Sequence, residues 1–161
     1  MAMRAVYPGS FDPITLGHLD LIQRGSRLFE RLVVAVGVNA AKTALFSSEE
    51  RVAMIRDEIG GLANVEVTTF SGLVVEFAKS RGLNVILRGL RTISDFETEF
   101  QMALTNRTLA QDVETVFVMP GEKFQFLSSR LIKEVAQVGG SVAPFVPEAV
   151  ARALKGRFSP K

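Results

Sequence analysis

Short apolar runs alternate with segments of helical period along the whole chain. The runs are Ala5-Val6-Tyr7, Leu32 to Val38, Val65 to Phe70, Val85-Ile86-Leu87 and Val116 to Met119. Leu32-Val33-Val34-Ala35-Val36-Gly37-Val38 carries no polar side chain, the pattern of a strand buried on both faces. Val65-Glu66-Val67-Thr68 alternates, as a strand nearer a sheet edge does. Between the runs, spacing predicts helices at roughly 17–30, 47–59, 72–81, 93–110 and 128–138, with a last one near 147–156. Ser47-Ser48-Glu49-Glu50 opens the second with capping residues and early acids, and Pro147-Glu148 opens the last.

Strands alternating with helices imply parallel pairing through right-handed crossovers. The expected fold is therefore an α/β doubly wound parallel sheet, one domain spanning residues 1–161. Ligands of such sheets bind beyond the carboxyl ends of the strands, near the switch in strand order. The loops to read are those after Tyr7, Val38, Phe70, Leu87 and Met119.

Composition narrows the chemistry. Nineteen basic residues nearly balance seventeen acidic ones, a net charge of +2, so bulk charge points to neither nucleic acid nor a membrane surface. Any anion site must come from locally placed cations. The chain has no cysteine, which removes disulfides, thiolate zinc sites and cysteine nucleophiles together. The amino terminus reaches Pro8-Gly9 too soon for a signal-peptide hydrophobic region. No apolar run approaches the ~18 residues of a membrane span. A cytoplasmic protein is expected.

The first loop, Gly9-Ser10-Phe11-Asp12-Pro13-Ile14-Thr15-Leu16-Gly17-His18, runs from a strand into a helix and ends on the chain's only histidine. Free amides and the helix dipole at that point attract phosphate, and a histidine there can donate to charge developing on a phosphoryl group. Taken alone, a Gly-His pair favours a plain turn whose histidine caps or packs. Lys42, after the second strand, is weak evidence by itself for a phosphate contact. Arg88-Gly89-Leu90-Arg91 reads equally as a phosphate clamp or as a surface turn with two exposed arginines. Asp95, Glu97 and Glu99 lie two residues apart and do not share one helical face, which argues against a three-carboxylate metal site. Ser128 or Ser129 suits a helix cap, and the same amides can grip phosphate with Arg130 and Lys133 nearby. Phe124 and Phe126 read as core more readily than as adenine platforms. The signals gain force together, because all fall at the same end of one sheet.

Assembled, these segments resemble the phosphopantetheine adenylyltransferases of the nucleotidyltransferase superfamily. The superfamily's H-x-G-H loop is matched by Thr15-Leu16-Gly17-His18, and threonine in first place resembles the phosphopantetheine branch. Its late I-S-S-x-x-x-K/R segment is matched by Leu127-Ser128-Ser129-Arg130-Leu131-Ile132-Lys133. Tyr7 to Pro13, Arg88 to Arg91 and Asp95-Phe96-Glu97 extend the similarity over nearly the whole chain.

The resemblance implies a Rossmann-like fold and an enzyme that joins ATP to 4′-phosphopantetheine, giving dephospho-coenzyme A and pyrophosphate. It implies phosphopantetheine contacts from Ser10, Lys42, Val74 and Arg88, with His18 catalytic. It implies ATP contacts from Ser10, Phe11, His18, Gly89, Leu90, Arg91 and Glu99, and from Phe124, Gln125, Phe126, Leu127, Ser128, Ser129 and Arg130. Serine at position 10 and arginine at position 130 depart from the commoner threonine and serine. Mg2+ held mainly through the ATP phosphates, and a homohexamer, are also implied. A sister enzyme with a mononucleotide or polyol phosphate acceptor, or a non-catalytic nucleotide-binding module, is the rival reading.

Overall fold

Five strands and six helices alternate in the computed structural model, which describes residues 2–159. The strands are β1 (Arg4–Gly9), β2 (Arg31–Gly37), β3 (Val65–Phe70), β4 (Val85–Gly89) and β5 (Glu114–Val118). The helices are α1 (Leu16–Leu28), α2 (Ser48–Glu58), α3 (Val74–Ser80), α4 (Ile93–Leu109), α5 (Ser129–Gln137) and α6 (Glu148–Phe158). All strand pairs are parallel, in the order β3-β2-β1-β4-β5. This is the expected doubly wound sheet. The order reverses between β1 and β4, the switch point where such sheets bind ligands.

Alternation along each inner strand feeds two cores. Ala5, Tyr7, Leu32, Val34, Val36, Val85 and Leu87 face α1, α2, α5 and α6. Val6, Val33, Ala35 and Ile86 face the other way, toward α3 and the turn after α4. The alternating segment at 65–68 is indeed at an edge, and the wholly apolar run is interior. Differences from expectation are local. Val38 and Met119 fall beyond the strand ends and are exposed. The third helix begins at Val74 rather than 72, because Gly72 adopts φ +78°, a left-handed turn that suits glycine.

The sheet opens where the site lies. β1 stays in register with β2 as far as Gly9↔Val36, but its register with β4 covers only Ala5↔Val85 and Val6↔Ile86. Beyond that point Pro8 has no amide hydrogen to donate, and its carbonyl accepts from the Arg88 side chain, Nη1 at 2.9 Å. The separation leaves a crevice between Pro8-Gly9-Ser10 and Arg88-Gly89.

Candidate active site

The loop after β1 is fixed before any ligand arrives. Thr15 caps α1, its hydroxyl accepting from the His18 amide at 3.2 Å. The Thr15 amide in turn donates to His18 Nδ1 at 3.0 Å, so histidine completes a capping box usually closed by Glu or Gln. A backbone amide can only donate, so Nδ1 carries no proton and Nε2 must carry it in the neutral ring. Burial first, then the positive charges of Arg91 and Arg88, push the His18 pKa down to about 4. At neutral pH His18 is an uncharged donor through Nε2–H. Neither α1 nor α5 has an acid in its first turn, so their amino-terminal fields remain available to anions.

Phe11 is the one non-glycine at positive φ (+47°) among the described residues. A conformation of that kind costs about 1–3 kcal/mol and persists where packing over-determines it. Packing does so here. The ring is 2% exposed and meets Tyr7 (5.2 Å) and His18 (5.0 Å) edge-on.

Two cavities flank the switch point. The first, about 210 Å³, lies against α1 and the 120–127 segment. The second, about 690 Å³, runs between the loops after β2 and β3 and helix α4. Pro8, Gly9, Ser10, Arg88 and Glu99 line both and form the seam between them. Of the residues singled out from sequence, Ser10, Phe11, His18, Gly89, Arg91, Glu99, Phe124 and Leu127 line the first cavity. Ser10, Lys42, Val74 and Arg88 line the second.

The others lie off those walls. The Leu90 amide donates to Val118, Gln125 closes a 3-10 turn at Glu122–Phe124, and Phe126 packs edge-on against Phe145. Ser128 caps α5 by accepting from the Leu131 amide, and the Ser129 hydroxyl donates to the Pro13 carbonyl at 2.8 Å. The Arg130 side chain is 89% exposed and pairs with Glu134 on its own helix. Lys133, on the same helix, turns instead to Asp12.

Two expectations about cations and one about aromatics need correction. Neither arginine of the β4 loop is the exposed, unpaired charge of a plain surface turn. Arg88 grips both Glu99 oxygens through Nε (2.8 Å) and Nη2 and donates to Pro8 through Nη1, which leaves one N–H on each Nη for a ligand. Arg91 pairs with Asp95 at 3.1 Å and donates to the Leu127 carbonyl. Lys133 is committed to Asp12 at 3.0 Å. Phe124 and Phe126 are not core. Phe124 walls the first cavity with Lys123 over its ring, and Phe126 is exposed. Gly89 has a packing reason too, since a Cβ there would come within 3.0 Å of Leu21.

Sequence reading missed Asp12 and Arg51. Asp12 is buried and accepts from the Leu45 and Phe46 amides, both at 2.9 Å, as well as from Lys133. Burial alone would raise its pKa; the two amides and Lys133 outweigh it and hold the carboxyl below its ordinary range. Arg51, 6% exposed, donates to the carbonyls of Ser10 (2.7 Å), Phe46 (3.1 Å), Gly37 (3.2 Å) and Ser47 (3.3 Å). The available signal was position: Arg51 precedes the core-facing Val52 and shares a face with buried Ile55. Together Asp12 and Arg51 bind the ends of β1 and β2, the Lys42-bearing loop and α5 into one frame.

A family model for cytidylyltransferase-like proteins matches residues 6–135. The phosphopantetheine adenylyltransferase of Synechococcus elongatus is 54% identical, covering 98% of this chain and 95% of its own. That of Methylococcus capsulatus is 52% identical (99% and 98%), and that of Geotalea daltonii 49% (96% and 96%). The chain belongs to the phosphopantetheine adenylyltransferase family. A solved structure from Vibrio parahaemolyticus, assigned as a nicotinate-nucleotide adenylyltransferase, superposes with TM-score 0.71 over 99% of this chain and 98% of that one. At 16% identity it speaks for the fold alone. At the switch point of this chain His18 and Arg91 line one cavity, and Lys42 and Val74 line the other.

Proposed function

We propose that the chain transfers the adenylyl group of ATP to the phosphate of 4′-phosphopantetheine, giving dephospho-coenzyme A and pyrophosphate in coenzyme A biosynthesis. One observation carries the reading: two cavities of different character meet at a seam of Ser10, Arg88 and Glu99. A nucleotide in the first and an acceptor in the second bring their phosphates together there.

A phosphate oxygen of the acceptor attacks the α-phosphorus of ATP, and the bond from that phosphorus to the bridging α,β oxygen breaks. Pyrophosphate leaves with the electron pair. The acceptor's second pKa is about 6, so its phosphate is mostly ionised at neutral pH and needs no general base. The protein's task is orientation and charge stabilisation. His18 Nε2–H donates to the α-phosphate as charge grows on it. Lys42 and Arg88 hold the acceptor phosphate against its repulsion from ATP.

Mg2+ fits this site through the substrate. Among the described residues no group of three or more His, Cys, Asp or Glu side chains is placed to hold a metal. The nearby carboxylates Asp12, Asp95 and Glu99 are each paired with a cation. Phosphate oxygens and water would supply most of its ligands, and it would neutralise phosphate charge when bound.

The chain assembles with itself, as a homohexamer, in the cytoplasm, without nucleic acid or membrane partners. Support for assembly comes from α4, whose Ile93, Phe96, Phe100, Met102 and Leu104 are all exposed. Among the described residues no helix is long and apolar enough to cross a membrane.

The deciding experiment supplies ATP and Mg2+ with one acceptor at a time and measures pyrophosphate. Release with 4′-phosphopantetheine and not with nicotinamide mononucleotide is expected. Equal turnover with the mononucleotide moves the chain to a sister activity, and ATP binding without any turnover makes it a binding module.

A further inference from the structure

Tyr7 is the chain's only tyrosine, and the chain has no tryptophan. It sits on β1, one residue before the seam, 5% exposed, with its ring edge-on to Phe11. It also lines the first cavity. Its hydroxyl makes no hydrogen bond to the protein among the described residues, yet the oxygen is not sealed off in the core. A buried phenol normally finds a partner, and one that opens on a cavity finds it there.

The surroundings define that partner. Burial raises the Tyr7 pKa far above its ordinary value; Arg88 and Arg91 oppose the shift and Glu99 adds to it. The phenol therefore stays protonated and can donate at any working pH. Arg88 and Arg91 stand beside it, and α1 aims its amino terminus into the same cavity. Two guanidinium groups and a helix amino terminus select an anion.

We propose that Tyr7 contacts substrate directly, its hydroxyl donating to a phosphate oxygen of the bound nucleotide at the seam. The inference rests on the adenylyl-transfer reading for the identity of the ligand. It adds a donor from β1 to the one His18 supplies from α1. The two meet the nucleotide from different elements, coupled through the Phe11 ring wedged between them.

Tyr7→Phe tests this by removing one oxygen that no protein group bonds. Its melting temperature should match wild type. kcat/KM for ATP should fall about 10- to 100-fold, the range for a hydrogen bond to a charged group. KM for the acceptor should stay within about twofold. With no other tyrosine or tryptophan present, ATP alone should also perturb the tyrosine absorption of wild type. Turnover of Tyr7→Phe within about twofold of wild type overturns the proposal, whatever the spectrum shows. So does a lowered melting temperature, which would mean that the hydroxyl serves the fold. If ATP shifts the Tyr7 spectrum while wild type fails with 4′-phosphopantetheine, the acceptor reading fails and the Tyr7 contact stands.

Discussion

Arg88 Nε donates to Glu99 at 2.8 Å across the seam between the two cavities, joining β4 to α4. The carboxylate orients the guanidinium and offsets its charge, and the pairing raises the Arg88 pKa. Glu99→Gln should therefore separate position from charge. The seam becomes more positive by one unit, so ground-state affinity for the acceptor phosphate should hold or improve. Arg88 loses its bidentate anchor, so kcat should fall, by about tenfold if its effect resembles loss of an orienting partner. Steady-state kinetics with both substrates reads the split. A rise in acceptor KM at unchanged kcat would contradict it.

His18→Ala should lower kcat by about 10²–10³, the scale of losing one preorganised donor to a developing oxyanion. ATP affinity should change far less, because a group used mainly in the transition state adds little to ground-state binding. His18 also sets a pH signature. Its folded pKa is about 4, below its unfolded value near 6.5, so between those limits the unfolded chain binds the extra proton. Stability is fully present above about pH 6.5 and declines as pH falls toward 4. His18→Gln should flatten that decline in urea denaturation between pH 4.5 and 7, a window in which no other histidine titrates.

Arg51 and Asp12 hold the frame, and their removal should act on stability before chemistry. Arg51→Met removes four side-chain bonds to carbonyls, one of them in a buried setting, a loss on the order of 3 kcal/mol. Arg51→Lys keeps the charge but not the planar array of donors, and should recover only part of it. Asp12→Ala strands Lys133 and two amides and should cost a similar amount. Denaturant midpoints at pH 7 check each. A midpoint unchanged in Arg51→Met would remove the bracing role.

The sheet was legible because its signals are local. Leu32 to Val36 can only be an interior strand, and the strand–helix rhythm imposes parallel pairing. The walls of the cavities were legible in part, since Ser10 and Lys42 lie in loops that follow strands, Arg88 at the end of β4 and His18 in the first turn of α1. What stayed hidden depends on pairs far apart in sequence. Glu99 cannot be assigned to Arg88, nor Asp12 to Lys133, without knowing how α4 and α5 pack. Arg130 and Lys133 show the same limit: three residues apart on one helix, one points to solvent and the other into the frame. Arg51 was lost because a buried arginine satisfied by carbonyls has no motif.

Helix α4 predicts an assembly. Ile93 is 92% exposed, and Phe96 and Phe100, each about half exposed, stack at 5.6 Å on the same face. Exposed aromatics grouped on one face are a contact surface more often than bare surface. Light scattering should find a particle near six times 17.6 kDa. Replacing Phe96 and Phe100 by aspartate should yield smaller species. A wild-type chain that is monomeric at micromolar concentration would remove the assembly and leave the activity untouched.

Lys42 distinguishes a phosphate-holding cation from ordinary surface charge. Among the described residues it has no carboxylate within ion-pair distance, although Arg88, Arg91 and Lys133 each have one. It lines the second cavity from the loop after β2, a different element from α4, which carries Glu99. An uncompensated cation there offsets the repulsion between two anionic phosphates. Lys42→Ala should therefore weaken binding of 4′-phosphopantetheine and lower turnover together. Unphosphorylated pantetheine lacks the charge and should bind wild type and variant about equally. Lys42→Arg should do little harm if a point charge suffices, whereas Arg88→Lys should be poorly tolerated because lysine cannot reproduce the fork shared by Glu99 and Pro8. Calorimetric titration of each variant with both ligands decides it. If Lys42→Ala binds the phosphorylated acceptor as tightly as wild type, Lys42 is a solvated charge, and the second cavity must hold its phosphate through Arg88 and Ser10 alone.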